Sequence, residues 1–494
     1  MEFKEFIKEC VRKFCDINKN ETIRVISHLD SDGICSAAIL TKAMIRERKK
    51  FSITFVNYLS EDFIRRLSEE EYNCFLFLDL GTSHIKNIEK YMKGKRVVVL
   101  DHHIIRSKNP ILNIVKDDDN NKILENKKTE SNLIHLNPNF FGINGSKEIS
   151  GAGVVYYFVK ELNSKNSDLA YMGIIGAIGD SQENNGFIGL NNDILKDAIS
   201  SKKITLERGV RFFGADNMPL YKVLKNSVDI YIPGVTGNDD KAIDFLTSIK
   251  IEPKQNNRWT RLNDLKDEEL KRLIESIMLR RNTVGKNIAG KSKEMNNDKI
   301  FGNRYILNGA ESDIKDLREL STILNACGKL DKASCGLGLL LGDKRSLIKA
   351  TYTLKEYKRE ILKSIKWIES KKRTKNIIED KGYMIINAEN NISSEILGTI
   401  ISMFTRNYEF EKGRYLLSLS KTRNKKIKIS FRVVGNNSKT SLLTLLEKMI
   451  KPFNGECGGH FNAAGGIIDM KDGDKFIENV INELSKKAME EVVE

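Results

Sequence analysis

Two adjacent histidines follow an aspartate at the end of an apolar run. The run is VVVLDHHII (97–105), and it places Asp101, His102 and His103 together in a chain that has six histidines among 494 residues. A valine-rich run of this length is typical of a buried strand. Carboxylate and imidazole groups gathered where such a strand ends are suited to binding metal ions or transferring protons.

Three other segments also place acidic or imidazole groups behind apolar runs. They are HLDSDG, FLDLG and GAIGD, and their candidate residues are His28, Asp30, Asp32, Asp79 and Asp180. Ligands of open parallel sheets bind beyond the carboxyl ends of the strands, so we expect these groups to meet at one edge. Clustered carboxylates repel one another unless a cation neutralises them. Oxygen and imidazole groups without thiolates favour manganese, iron, zinc or magnesium.

The candidate ligands outnumber what one ion can bind. They fit two divalent metals about 4 Å apart that share a bridging carboxylate, and Asp79 on a central strand is the natural bridge. Such a pair activates water for an in-line attack on a phosphoryl group. The predicted metal ligands are His28, Asp30, Asp32, Asp79, His102 and Asp180. The predicted catalytic residues are Asp30, Asp32, Asp79, His102, His103 and Asp180.

Other roles are open for single members of this set. Asp30 or Asp32 taken alone is more typical of a helix cap than of a ligand. Asp101 is a candidate to orient an imidazole through a hydrogen bond, and His103 is a candidate to meet the substrate phosphate. His84 and His135 are assigned to a helix start and to ordinary packing, and a supporting role beside Asp79 is the alternative for His84.

The elements that must position these groups alternate along the first 200 residues. Strands are predicted at 22–29, 52–59, 74–81 and 96–103, and helices at 33–50, 61–72, 84–92, 154–162 and 171–179. This rhythm predicts an α/β fold with a doubly wound parallel sheet. A polar hairpin is predicted over 116–132.

Four segments follow from this pattern. Residues 1–200 form the parallel-sheet domain with the metal site, and 201–322 form a mainly helical insertion. Residues 323–375 carry the NACGKLD segment and a long basic helix over 354–372. Residues 376–494 form a second, smaller α/β domain.

The net charge of the chain indicates which classes of partner to expect. A formal net charge of +15 favours polyanions, nucleic acid first. No apolar run approaches the roughly 18 residues of a membrane span, and the N-terminus lacks the apolar core of a signal peptide. We therefore expect a cytoplasmic protein with no membrane partner.

Several motifs together resemble a known family. HLDSDG, FLDLG, LDHH and GAIGD resemble, in order, the four metal-binding motifs of the DHH phosphoesterases. ILNACGKLDKASCGLGLLLGD, the helix TLKEYKREIL, and SFRV with GECGGHFNAAGG resemble segments of the RecJ-type nucleases. HLNPNFFG and SGAGVVYYF look like the archaeal RecJ-like branch, related to the GINS-associated nuclease.

The resemblance implies a DHH domain that holds the metals and a DHH-associated domain that binds nucleic acid across a cleft. The substrate-binding residues it implies are His103, Asn325, Gly328, Lys329, Arg432, Gly458, Gly459 and His460. Bacterial RecJ has aspartate where this chain has His28, and the family commonly has arginine at Lys329. The basic helix residues Lys355, Lys358, Arg359 and Lys363 either extend an electrostatic track or form a solvated face.

The function implied is a metal-dependent exonuclease in DNA replication or repair. It would hydrolyse single-stranded DNA, RNA or both from an end to mononucleotides, with 5′→3′ polarity favoured over 3′→5′. Two Mn²⁺ ions are favoured, with Mg²⁺ and Co²⁺ as alternatives. The alternative functions are an oligoribonucleotide or cyclic-dinucleotide phosphodiesterase and a replication-complex scaffold. A GINS-type partner is expected with either the exonuclease or the scaffold, whereas the oligomeric state and the role of 201–322 are open.

Overall fold

The structure, a computed structural model, divides into two compact units. It describes residues 2–15, 21–105, 132–183, 186–227, 230–289, 300–310, 313–372, 374–380, 382–406, 410, 413–422, 424–436 and 440–493. Unit 1 comprises Met1–Val210 and Gly302–Lys355, and unit 2 comprises Arg211–Phe301 and Glu356–Glu494. The hairpin predicted over 116–132 lies outside the described residues except at its last position.

Strands and helices are numbered in chain order. The strands are β1 Thr22–His28, β2 Lys50–Val56, β3 Cys74–Leu78, β4 Arg96–Leu100, β5 Leu133–Leu136, β6 Ile204–Val210, β7 Lys254–Gln255, β8 Arg258–Trp259, β9 Phe301–Leu307, β10 Ile377–Glu379, β11 Tyr383–Asn387, β12 Tyr415–Lys421, β13 Lys426–Val433, β14 Glu456–His460 and β15 Ala463–Asp469. The helices are α1 Phe3–Cys15, α2 Ser31–Arg46, α3 Glu61–Ser68, α4 Ile85–Tyr91, α5 Gly151–Leu162, α6 Ala170–Gly179, α7 Gly189–Ser200, α8 Leu220–Lys225, α9 Asp239–Ser248, α10 Asp267–Ala289, α11 Leu317–Lys329, α12 Ala333–Leu341, α13 Lys344–Lys371, α14 Ser394–Arg406, α15 Leu442–Ile450 and α16 Gly473–Val493.

The core of unit 1 is a five-stranded sheet in the order β2-β1-β3-β4-β5, parallel throughout. Successive residues of β4 alternate between two apolar clusters. Val98 packs in the cluster that includes α1, α2, α5 and α6, whereas Val97 and Val99 pack with α3 and α4. Helices therefore cover both faces, which explains why β3 is apolar at every position and β4 at every position after Arg96. The predicted doubly wound α/β fold is confirmed.

Two predicted strands end earlier than their sequences suggest. β3 ends at Leu78, and Asp79 takes a left-handed φ of +59°. β4 ends at Leu100, so Asp101, His102 and His103 follow the strand instead of continuing it as predicted. The chain can therefore turn His102 and His103 independently, because the strict alternation of a strand no longer applies.

The segment predicted as a helical insertion is divided between the units. Its helices α8, α9 and α10 belong to unit 2, as does the hairpin of β7 and β8. The predicted insertion also contains β6 and β9, which pair with each other. The predicted helical character therefore holds for the middle of 201–322, whereas its two ends carry strands.

Unit 2 contains a mixed six-stranded sheet in the order β10-β11-β12-β13-β15-β14. β11 and β12 are parallel and the other neighbours are antiparallel. Leu417, Phe431 and Ala464 pack in one apolar cluster with residues of α15 and α16. This is the second, smaller α/β domain that the sequence predicts. Among the described residues of either unit, no helix is long and apolar enough to cross a membrane.

Candidate metal centre

The turn from β1 into α2 brings the first three candidate residues to the carboxyl edge of the sheet. Asp30 caps α2, because its Oδ1 accepts a hydrogen bond from the Gly33 amide at 3.0 Å. Its other oxygen, Oδ2, lies 3.0 Å from Nδ1 of His28. The cap and the ligand interpretations of Asp30 are thus compatible, since each uses a different oxygen.

Asp32 is fully buried at the start of α2. Its carboxylate accepts hydrogen bonds from the backbone amides of Gly151 at 2.6 Å and Ala152 at 3.0 Å, both in the first turn of α5. The amides and the positive end of the helix dipole stabilise a negative charge there. The start of α5 therefore fixes the orientation of the Asp32 carboxylate.

Asp79 lies between two histidines. Its Oδ2 is 3.4 Å from Nδ1 of His28, and its Oδ1 is 3.1 Å from Nε2 of His102. The side chain is 2% exposed, and Oδ1 accepts no hydrogen bond. One carboxylate thus presents a different oxygen to each histidine.

His102 is held so that its Nε2 faces carboxylates. Its Nδ1 lies 2.6 Å from the carbonyl oxygen of Gly145, and Nδ1 must donate because a carbonyl only accepts. Nε2 lies 3.3 Å from Oδ2 of Asp180 and 3.7 Å from Oδ2 of Asp32, in addition to Asp79. None of these contacts has hydrogen-bond geometry. A neutral imidazole in this tautomer would point a lone pair at carboxylates, an arrangement that a cation between them would stabilise.

Asp101 orients His103 and not His102. Its Oδ1 lies 2.7 Å from Nδ1 of His103, and its Oδ2 accepts from the amide of Thr82 at 2.9 Å. The His103 side chain remains 43% exposed, in contrast to the buried His102. His103 is therefore the histidine of this pair that solvent and a substrate can reach.

The pKa values reflect unneutralised charge in a buried site. Burial, and after it the charges of Asp79 and Asp180, raise the pKa of Asp32 well above its usual value. Burial raises the pKa of Asp180 to about 6, although His102 opposes this. Burial alone lowers the pKa of His102, but the surrounding carboxylates raise it well above normal. Without a cation, the negative charges of these buried carboxylates are therefore energetically unfavourable.

These residues fit divalent cations. Within the described residues, His28, Asp30 and Asp79 offer ligand atoms within 4.8 Å of one another, and Asp32, His102 and Asp180 do the same. His28 Nδ1, Asp79 Oδ1 and His102 Nε2 are buried without a hydrogen-bond partner. Buried polar atoms are normally satisfied, so the convergence of these three is suited to a cation that would complete their bonding. The donors are nitrogen and oxygen only, which suits manganese or magnesium better than softer metals.

Several supporting residues escape sequence reasoning. Asn137 donates to the His103 carbonyl at 3.0 Å and Asn139 to the His102 carbonyl at 2.9 Å. The amide of Gln182, itself held by Asn191 at 2.7 Å, donates to the Gly145 carbonyl at 2.9 Å. Asn137 and Asn139 belong to HLNPNFFG, which the sequence marked only as a family resemblance. Their spacing, two positions apart directly after a strand, was the available signal.

His135 is a packing residue, as its sequence context suggests. It is 7% exposed, and its Nε2 lies 3.0 Å from the hydroxyl of Thr82. Burial lowers its pKa to about 4, which keeps the ring neutral.

The predicted substrate-binding residues lie in both units. In unit 1, Asn325 accepts from the Ser31 amide at 3.0 Å, and a Cβ at Gly328 would lie 1.8 Å from the Leu29 carbonyl oxygen. These two positions thus pack α11 against the turn that carries Asp30. Burial raises the pKa of Asp30, but His28, the Gly33 amide and the charge of Lys329 together lower it below its usual value. Lys329 is therefore close enough to Asp30 for its charge to act on this carboxylate.

The remaining predicted residues lie in unit 2. The Arg432 guanidinium donates to the carbonyl oxygens of Phe431 at 2.8 Å and Ala464 at 3.0 Å. Gly458 and His460 are on β14, next to β15. Gly459, with φ +145°, would bring a Cβ to 2.3 Å from the Ala463 carbonyl oxygen, so only glycine fits there.

Comparison with known proteins gives three family matches in chain order. The DHH family, N-terminal domain, matches residues 22–175. The DHH-CID domain matches residues 212–294, and the DHHA1 domain matches residues 380–492. Together these ranges cover most of the chain.

One protein and two solved structures are similar over nearly the whole chain. Uncharacterized protein MJ0831 of Methanocaldococcus jannaschii is 27% identical over 94% of this chain and 93% of its own. CDC45 from Entamoeba histolytica shares 12% identity, with a TM-score of 0.63 and 98% of both chains covered. RecJ from Thermus thermophilus, in complex with Mn²⁺, shares 14% identity, with a TM-score of 0.55 over 98% of this chain.

The present chain spans 55% of the length of that RecJ chain. At these identities the two structures establish the fold. The three family matches show that the chain contains, in order, the domains of the DHH phosphoesterase superfamily of hydrolases.

Proposed function

We propose that this protein is a metal-dependent exonuclease that hydrolyses single-stranded nucleic acid from an end and releases mononucleotides. The observation that carries the proposal is the position of Asp79, whose two oxygens face His28 and His102 separately. A carboxylate in this position is suited to bridge two cations.

The ligand sets follow from the two clusters. His28, Asp30 and Asp79 would hold one cation, and Asp32, His102 and Asp180 together with Asp79 would hold the other. When bound, a divalent pair supplies activation of a water and stabilisation of phosphoryl charge. Mn²⁺ is our first choice, and the RecJ of Thermus thermophilus was crystallised with this ion.

The chain's own groups would position the phosphate. Oδ1 of Asp101 lies 2.7 Å from Nδ1 of His103, and its charge favours the protonated form of this 43% exposed imidazole, which is therefore suited to donate to a phosphate oxygen. Lys329, close to Asp30, adds a second positive charge on the same unit. In unit 2, Arg432 and the backbone at Gly458 and Gly459 are the proposed contacts for the following nucleotides.

The net charge of +15 supports a polyanionic substrate over a small neutral ester. Oligoribonucleotides and cyclic dinucleotides remain alternative substrates of the same centre. A scaffold in a replication complex, with a GINS-type partner, is the second candidate, and the fold similarity to CDC45 favours it. The complete acidic and imidazole set favours hydrolysis.

A product time course tests the proposal. Single-stranded DNA and RNA of one sequence, labelled at the 5′ or the 3′ end, are incubated with the protein and Mn²⁺. Immediate mononucleotide release from the 5′ label, with laddering from the 3′ label, is the expected result for 5′→3′ hydrolysis. Asp79→Asn is the control, because asparagine tolerates the left-handed backbone but cannot bridge two cations.

Three other results would change the conclusion. Cleavage of two- to five-nucleotide substrates alone would favour the oligoribonucleotide alternative. Metal-loaded protein that cleaves nothing would favour the scaffold. Full activity in Asp79→Asn would exclude the bridging role of Asp79.

A further inference from the structure

The first half of α13 has one buried face and one exposed face. Ala350, Thr353 and Leu354 are at most 4% exposed and pack into the protein. The opposite side carries residues three or four apart, which therefore share one face of the helix. These residues, which we call the α13 stripe, are Arg345, Ile348, Lys349, Tyr352 and Lys355, all in unit 1.

The α13 stripe exposes large apolar side chains, although the opposite face of this helix is packed into the protein. Ile348 is 71% exposed and Tyr352 is 58% exposed, one turn apart. A helix that already has a buried face does not need these two side chains for its own packing. The two side chains form an exposed apolar pair on this face, which is available to a partner of the chain.

The charged members of the stripe are all cationic and exposed. Lys349 and Lys355 form no ion pair with any residue that the structure describes. Arg345 lies beside Asp343, which caps α13 through the Ser346 amide at 2.8 Å and partly offsets the charge of Arg345. Lys349 and Lys355 therefore present positive charge on both sides of Tyr352.

We propose that the α13 stripe is a second contact surface for single-stranded nucleic acid, separate from the metal centre. Tyr352 stacks on an unpaired base, Ile348 packs beside it, and the three cations contact flanking phosphates. A duplex would bury its base faces in its own stack, so this combination favours a single strand. The inference rests on the proposed function, because it assumes the same substrate class.

The consequence is a dependence on substrate length. A strand long enough to reach both the metal centre and the stripe gains affinity, whereas a short oligonucleotide held at the metal centre alone does not. Long strands are thus retained between successive cleavages.

Fluorescence anisotropy on the full chain tests this. Binding is measured for a labelled single strand of about 30 nucleotides, longer than one binding site, over a range of salt concentrations. We expect Tyr352→Ala to weaken binding at least about fivefold because base stacking is removed, and Tyr352→Phe to retain it. The double substitution Lys349→Ala with Lys355→Ala should flatten the log–log salt dependence by about 1.4, about 0.7 for each phosphate that is no longer neutralised.

A matched control variant distinguishes the α13 stripe from other exposed apolar and charged residues of the chain. Ile45→Ala with Lys50→Ala removes an exposed isoleucine and an exposed lysine near the opposite, amino edge of the sheet, and it should change neither quantity. Hydrolysis of five-nucleotide substrates should be the same in every variant.

Two outcomes overturn the inference. One is a Tyr352→Ala variant that binds the long strand like the control. The other is an equal loss of activity on long and short substrates, which would assign the effect to folding or to the metal centre. Either can occur while the wild-type protein cleaves single strands and Asp79→Asn does not, so the proposed function is tested separately.

Discussion

Adding one methyl group at Gly151 tests the arrangement of the candidate metal centre. A Cβ added there would lie 2.5 Å from Oδ1 of Asp79 and 2.8 Å from its Cβ and Cγ. To restore an ordinary contact of 3.4 Å, Asp79 or the start of α5 must move by about 0.9 Å. Asp79 is 2% exposed, and the Gly151 amide is bonded to Asp32 at 2.6 Å, so both sides of the contact are constrained.

The expected effect of Gly151→Ala follows from that displacement. A misplacement of about 1 Å in a catalytic arrangement costs about 100-fold in rate, or about 2.7 kcal/mol of transition-state stabilisation. Overpacking also lowers the free energy of unfolding by about 1–3 kcal/mol, partly offset by the helical preference of alanine. Affinity for Mn²⁺ should fall as well, because the clash reaches the bridging carboxylate and the helix start that holds Asp32.

The assay combines kcat/KM on single-stranded DNA, calorimetric titration with Mn²⁺ and thermal unfolding. Gly173→Ala on α6 is the matched control, because its Cβ would approach closer than 3.4 Å only to the Ile194 methyl, at 3.2 Å within the same unit. We expect that variant to retain activity and metal affinity. Wild-type kcat/KM and Mn²⁺ affinity in Gly151→Ala would refute the reasoning, since Asp79 would then tolerate the displacement.

Three further predictions concern the parts of the site. Gln182→Leu removes the buried amide that shares the Gly145 carbonyl with His102, so Mn²⁺ affinity measured by calorimetry should fall about 10- to 100-fold with secondary structure retained. An unchanged affinity would mean that His102 alone fixes its orientation. Arg432→Ala should raise KM for single-stranded DNA while metal content by elemental analysis stays constant, and Arg432→Lys should recover only part, because it keeps the charge but not the planar fork. Loss of metal in Arg432→Ala would contradict the assignment of ligands to unit 1. Chelation of the wild-type protein should remove about 2.7 kcal/mol of stability relative to metal at 100 times its Kd, read as a lower Tm. Asp79→Asn should show a smaller loss, and equal losses would argue against metal binding at Asp79.

The sequence was sufficient for the parts of the site that depend on local pattern. The valine-rich run before Asp101 predicted a buried parallel strand. The acidic residues after such runs predicted that the ligands gather at one edge of the sheet. Charge repulsion among them then predicted a cation. The same reasoning placed the ends of β3 and β4 too late, because composition does not show where the chain leaves the extended conformation.

Long-range contacts were beyond that reasoning. The Gly145 carbonyl that orients His102 is a backbone atom, and it has no signature in residue type. Asn325 bonds to the Ser31 amide from 294 residues away, so its place beside the turn that carries Asp30 depends on the complete fold. The sequence predicted Asp32 as a ligand, but it did not predict that two amides at the start of α5 would orient its carboxylate.

The left-handed backbone at Asp79 has a consequence for how such a protein changes over time. A non-glycine residue at φ +59° costs about 1–2 kcal/mol, which the folded state bears at the position where the carboxylate faces both histidines. Glycine would relieve that strain and at the same time remove the carboxylate. At this position the free energy of unfolding and the hydrolytic activity are therefore opposed. A protein under no selection for hydrolysis would be expected to acquire glycine or asparagine there. At this position the chain therefore carries a carboxylate at the expense of backbone stability.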